Sequence, residues 1–72
     1  MKQSLASVNP GSVVKVSALN YENELFLRIQ AMGLRPGINA QVLQRLGRNL
    51  LLKLGNSRLV ISKDLAKMVE VE

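Results

Sequence analysis

Met32-Gly33-Leu34-Arg35-Pro36-Gly37 is the stretch on which the fold turns. Its order of residue types reads as a helix stop followed at once by a tight turn. Gly33 suits the left-handed conformation in which helices end, because a residue without a Cβ adopts positive φ at no steric cost. Leu34, one residue on, is placed to fold back onto the last helical turn, as in a Schellman cap. Pro36 and Gly37 match the second and third positions of a type II turn, since proline presets φ and glycine accepts φ > 0. The chain is therefore expected to leave a helix, reverse and enter a strand.

Upstream of this stretch, Asn20 is a good N-cap, Glu22 and Glu24 favour the positive end of a helix dipole, and Leu25, Ile29 and Met32 recur on one helical stripe. The spacing predicts a helix from Tyr21 to Met32. Before it, Asn9-Pro10-Gly11 is a turn, and Ser12 to Ser17 has the β-branched content of a first strand with Val14 and Val16 facing inward. Downstream, Asn39 to Leu46 alternates as a strand, with Ala40 and Val42 on one side and Gln41, Leu43 and Arg45 on the other. Hairpins at Gly47-Arg48-Asn49 and Gly55-Asn56 then separate strands at Leu50 to Leu54 and Ser57 to Ile61. Ser62 can cap a single helical turn through Asp64, Leu65 and Ala66, and Met68 to Glu72 alternates as a last strand with Val69 and Val71 facing in. The expected fold class is mainly β: about five short strands with one helix inserted after the first. So small a sheet protects its edges by curling on itself into a partly open barrel.

With 72 residues the chain is expected to be a single domain over residues 1–72. A domain of this size buries only about 60% of the surface its unfolded chain exposes. Apolar residues make up 47% of the chain but aromatics only 3%, Tyr21 and Phe26, so the core must be aliphatic. There is no Cys and no His, which removes disulfides, the usual soft-metal ligands and the common nucleophile and general-base sets. Carboxylates come only from Glu22, Glu24, Asp64, Glu70 and Glu72, and Glu22 and Glu24 point about 160 degrees apart on a helix. These residues imply no enzyme, no cofactor and no metal site. The N-terminal residues contain no apolar core of a secretion signal, and the longest clear apolar run, Leu50-Leu51-Leu52, is far too short to span a bilayer. A soluble, cytoplasmic protein without membrane insertion is expected.

The net charge is +5 and the pI near 10.3, which points to an anionic partner. The basic residues are spaced singly, however, in the manner of solvated outward positions. A small basic barrel binding nucleic acid is the alternative function. Against it, the expected strands carry no aromatic platform on which bases would stack.

Together these residues resemble the FeoA family, small cytosolic accessory proteins of bacterial ferrous-iron uptake whose domain is similar to an SH3-like barrel. The resemblance covers nearly the whole chain. It rests on Leu5 and the Pro10-Gly11 turn, on Arg28-Ile29 with Met32 to Gly37, on Val42, and on the closing run from Ile61 to Val71. It implies a partner, the FeoB-type ferrous-iron transporter, a membrane protein whose cytosolic portion carries a GTP-binding domain. It implies no binding site, since Gly33, Leu34, Pro36 and Gly37 already have work as cap, core and turn. No phosphate-cradling Gly-rich loop with Lys and Ser/Thr is present here, so GTP chemistry would belong to the partner.

The candidate docking residues lie on the helix and just after it. With Leu25 at the centre of the buried stripe, Phe26 sits about 100 degrees round and Leu27 about 200 degrees round, and Ala31 follows one turn after Leu27. An exposed apolar patch there would receive a partner or, as a weak homo-oligomer, a second copy. Equally, Phe26 could cover the barrel mouth and Leu27 be an isolated surface leucine. Arg35 has no evident duty in the turn and joins Arg28 as a pair suited to a carboxylate or phosphate. Arg45, Arg48, Lys53 and Arg58 fall on consecutive strands and turns, where they could line one outer sheet face or simply discourage edge aggregation.

Overall fold

The computed structural model describes residues 3–19 and 24–72, with the side chains of Leu25 and Phe26 left outside that description. In chain order the elements are strand β1 (Gln3–Ser4), a 3-10 turn (Leu5–Ser7), β2 (Val13–Leu19), helix α1 (Glu24–Ala31), β3 (Asn39–Leu46), β4 (Asn49–Leu54), β5 (Ser57–Ser62), helix α2 (Lys63–Ala66) and β6 (Val69–Val71). The expected helix start, with its Asn20 cap and Tyr21 and Glu22, lies outside the described residues.

Helix α1 ends as its last residues dictate. Gly33 has φ +114°, its N–H donates to the Gln30 carbonyl at 3.0 Å, and the Leu34 N–H donates to the Ile29 carbonyl at 3.2 Å. These are the two bonds of a Schellman cap, and they satisfy carbonyls that the helix end would otherwise leave open. Leu34 is fully buried, worth about 2–3 kcal/mol for a leucine taken from water. The turn follows directly: the Ile38 N–H donates to the Arg35 carbonyl at 3.3 Å, and Gly37 takes φ +93°. Gly37 then donates to the Val16 carbonyl at 2.8 Å, and the Val16 N–H donates to the Ile38 carbonyl at 2.9 Å, which fastens the turn to the middle of β2.

The six strands form one antiparallel sheet in the order β1-β6-β2-β3-β4-β5. Register places Val42, Leu52 and Leu59 in one row, all buried, because strand side chains alternate between the two faces. Val16, Val69 and Val71 complete the inner face from the other half of the sheet, with Val14 packed against them in part. Among the described residues every buried side chain is apolar. The edge strands β1 and β5 do not pair with each other in this sheet. Instead the 3-10 turn after β1 packs against α2, which follows β5, and Leu5 and Ala66 are fully buried there. The barrel is thus partly open in its hydrogen bonding and shut by side chains.

Several expectations need correction. The sheet has six strands rather than about five, since Gln3–Ser4 pairs with Val71 and Glu70; a two-residue strand carries no periodic signal. Met32 does not extend the buried stripe but is 57% exposed, because Leu34, returning through the cap, fills the place beside Ile29. The first strand runs on to Leu19 through a register shift between Val16 and Ala18, and the last begins at Val69 rather than Met68. Ser62 caps α2 as expected, accepting from the Leu65 N–H at 3.1 Å.

No atom lies within 4 Å of a Cβ built on Gly37, and on Gly33 it would meet only the Leu54 Cδ1 at 3.9 Å. The cost of alanine at either position is therefore backbone strain rather than collision. Gly33→Ala and Gly37→Ala are each expected to lower the unfolding free energy by about 1–2 kcal/mol. Urea denaturation checks this, with the slope unchanged; midpoints equal to wild type would show that these positive φ angles are not required.

Candidate functional site

The outer face of α1 carries Leu27 and Ala31 one turn apart, with Arg28 beside them and Met32 four residues beyond Arg28. All four are exposed, and Leu27 at 58% and Met32 at 57% keep most of their apolar surface in water. Arg35 is exposed as well, held between the helix cap and the type II turn. Arg28 sits in the last helical turn, where a cation suits the carbonyl end of the dipole. The face thus combines two sizeable apolar side chains with two guanidinium groups, and a guanidinium can grip a carboxylate or phosphate with two parallel hydrogen bonds. Such a set recognises and holds; it contains no nucleophile or proton-transfer pair. The Phe26 side chain lies outside the described residues. Met32 is the member that sequence reasoning missed, and its position next to the cap glycine was the available signal, because the residue returning through such a cap takes over the helix's last buried position.

The basic residues of the sheet do not line one face. A register shift between Val42 and Gln44 reverses the alternation of β3, so Arg45 stands across from Leu50 on the inner side rather than on the outer face with Gln41 and Leu43. Its Nη2 donates to the Ala6 carbonyl at 3.0 Å and to the Val8 carbonyl at 3.2 Å, stitching β3 to the turn that plugs the barrel. Arg45 is thereby a structural residue. Lys53 and Arg58 remain on the outer face, directly opposite one another on β4 and β5. Among the described residues, no three His, Cys, Asp or Glu side chains come together to hold a metal ion, and no helix is long and apolar enough to cross a membrane.

The FeoA domain is matched over residues 3–72. The chain belongs to the FeoA family. A crystal structure of an iron uptake regulatory protein (FeoA) superposes on it with TM-score 0.87 and 29% identity, covering 100% of this chain and 97% of that one. The solution structure of iron(II) transport protein A from Clostridium thermocellum matches with TM-score 0.89 and 28% identity, over 97% of this chain and 44% of that one. A manganese-dependent transcriptional repressor contains the same fold, with TM-score 0.85 over 97% of this chain and 40% of its own, but at 15% identity the likeness is one of fold alone. No curated protein sequence matches the chain. The FeoA family is associated with iron transport, and its members share the small SH3-like barrel described above.

Removing a charged donor from two part-buried carbonyls costs more than removing a solvated cation. Arg45→Ala is expected to lower stability by about 1–2 kcal/mol. Lys53→Ala, which relieves a like-charge pair across two strands, should stay within about 0.5 kcal/mol of wild type. Thermal or urea unfolding of the two variants side by side checks the difference; equal stabilities would remove the Arg45 bridge from the account.

Proposed function

We propose that this FeoA-family chain is a non-enzymatic, cytoplasmic accessory protein of ferrous-iron transport that docks on the cytosolic part of a FeoB-type transporter. The observation that carries this reading is the outer face of α1, where Leu27 and Met32 stay in water beside Arg28 and Arg35 on a helix whose end is pinned by the cap and turn. A rigid apolar patch flanked by guanidinium groups loses little freedom on binding and can pair acidic groups at its rim. The related structures, an iron uptake regulatory protein and an iron(II) transport protein, support iron transport as the setting. The chain supplies a docking surface, and nucleotide chemistry belongs to the transporter.

Leu27→Glu tests the face. Glutamate is nearly as good a helix former as leucine, and the position is exposed, so the unfolding midpoint should hold within about 0.5 kcal/mol. Affinity for the purified cytosolic domain of the transporter should fall roughly tenfold or more, equivalent to about 1.4 kcal/mol. Undiminished binding by this variant would remove the helix face from the reading.

A further inference from the structure

At the end of β4 remote from α1, the β3–β4 hairpin and α2 enclose a groove of about 430 Å³ lined by Arg48, Asn49, Ser62, Lys63, Asp64 and Lys67. The backbone holds its two walls together, for the Lys63 N–H donates to the Arg48 carbonyl at 2.7 Å, and Ser62 is occupied in capping α2. Three cations face one carboxylate. Asp64 lies 3.9 Å from the Lys67 ammonium, with both side chains largely in solvent, and Arg48 and Lys63 have no ion-pair partner among the described residues.

Register supplies the second observation. Leu46, Asn49 and Ser62 form one cross-strand row, and Gln44, Leu51 and Val60 form the next row on the same face. Leu46 is 40% exposed and Val60 52% exposed, so an apolar strip lies directly against the cationic groove. A phosphodiester chain would use the cations and leave that strip wet. An extended polypeptide with acidic and apolar residues interleaved would use both, its carboxylates meeting Arg48, Lys63 and Lys67 and its apolar side chains covering Leu46, Leu51 and Val60. Charge complementarity of this kind also speeds encounter and selects partners. We propose that this groove is a second docking site, which takes an extended acidic segment of a partner protein.

The site is separate from the helix face. The end of α1 approaches Leu54, the last residue of β4, while the groove begins at Asn49, and strand rise puts about 17 Å between them. The two surfaces can therefore fail or succeed independently.

The test is fluorescence anisotropy with a short labelled peptide of alternating glutamate and leucine, a serine–leucine control peptide and a labelled single-stranded RNA. Wild type should bind the acidic peptide and ignore the control. The double variant Arg48→Glu/Lys63→Glu should lose roughly tenfold in affinity or more, with Arg48→Gln/Lys63→Gln intermediate. Lys15→Glu/Arg35→Glu, which changes net charge equally on exposed residues away from both the groove and its apolar strip, should stay within about twofold of wild type. Leu27→Glu should bind the peptide normally. Urea midpoints confirm that each variant is folded, and the neutral pair carries the test if the charge reversal is not. No binding of the acidic peptide, equal losses in the two charge-reversed pairs, loss in Leu27→Glu, or tighter binding of the RNA than of the peptide would each overturn the proposal.

Discussion

Two backbone hydrogen bonds, Gly37 N–H to the Val16 carbonyl and Val16 N–H to the Ile38 carbonyl, tie the exit of the type II turn to the centre of β2. They set the register in which β3 begins, with Lys15 across from Asn39 and Val14 across from Ala40. Because strand side chains alternate, a slip of one residue here would turn Ala40 and Val42 outward and carry the error through both following hairpins. The same bonds position α1. Only three residues separate Gly33 from Gly37, so the helix end is held by its cap on one side and by the sheet on the other.

Two other features follow from how the barrel closes. Its edge strands are short or end in a helix, and the gap is filled by Leu5, Val8 and Ala66, with the Arg45 guanidinium bonded to the part-buried Ala6 and Val8 carbonyls at its margin. Among the described residues the core is aliphatic, and the two candidate docking surfaces lie on the exterior. Those surfaces differ in character: α1 offers apolar area with two guanidinium groups at its margin, and the hairpin–α2 groove offers concentrated positive charge.

Much of this was legible from residue types. The cap at Gly33, the turn at Pro36-Gly37, β3 with its Asn39–Leu46 limits, both hairpins, the Ser62 cap and the inward faces of Val69 and Val71 all follow from local chemistry that tertiary contacts reinforce. The exposure of Leu27, Arg28, Ala31 and Arg35 followed from helical geometry and turn duty. What escaped depended on non-local events. The Gln3–Ser4 strand exists only because β6 is there to pair with it. Arg45 changed faces because of a bulge that no residue type announces. Met32 was displaced by a leucine two residues later, and the clustering of Arg48 with Lys63 and Lys67 required a hairpin and a helix that lie far apart in sequence to meet.

Amide hydrogen exchange at Gly37 and Val16 tests the central tie most directly. If the turn is locked to β2, both amides should exchange as slowly as those of the buried β4 core, such as Leu52, opening only with global unfolding. Exchange of either amide at the rate of an open loop, while Leu52 stays protected, would contradict the account.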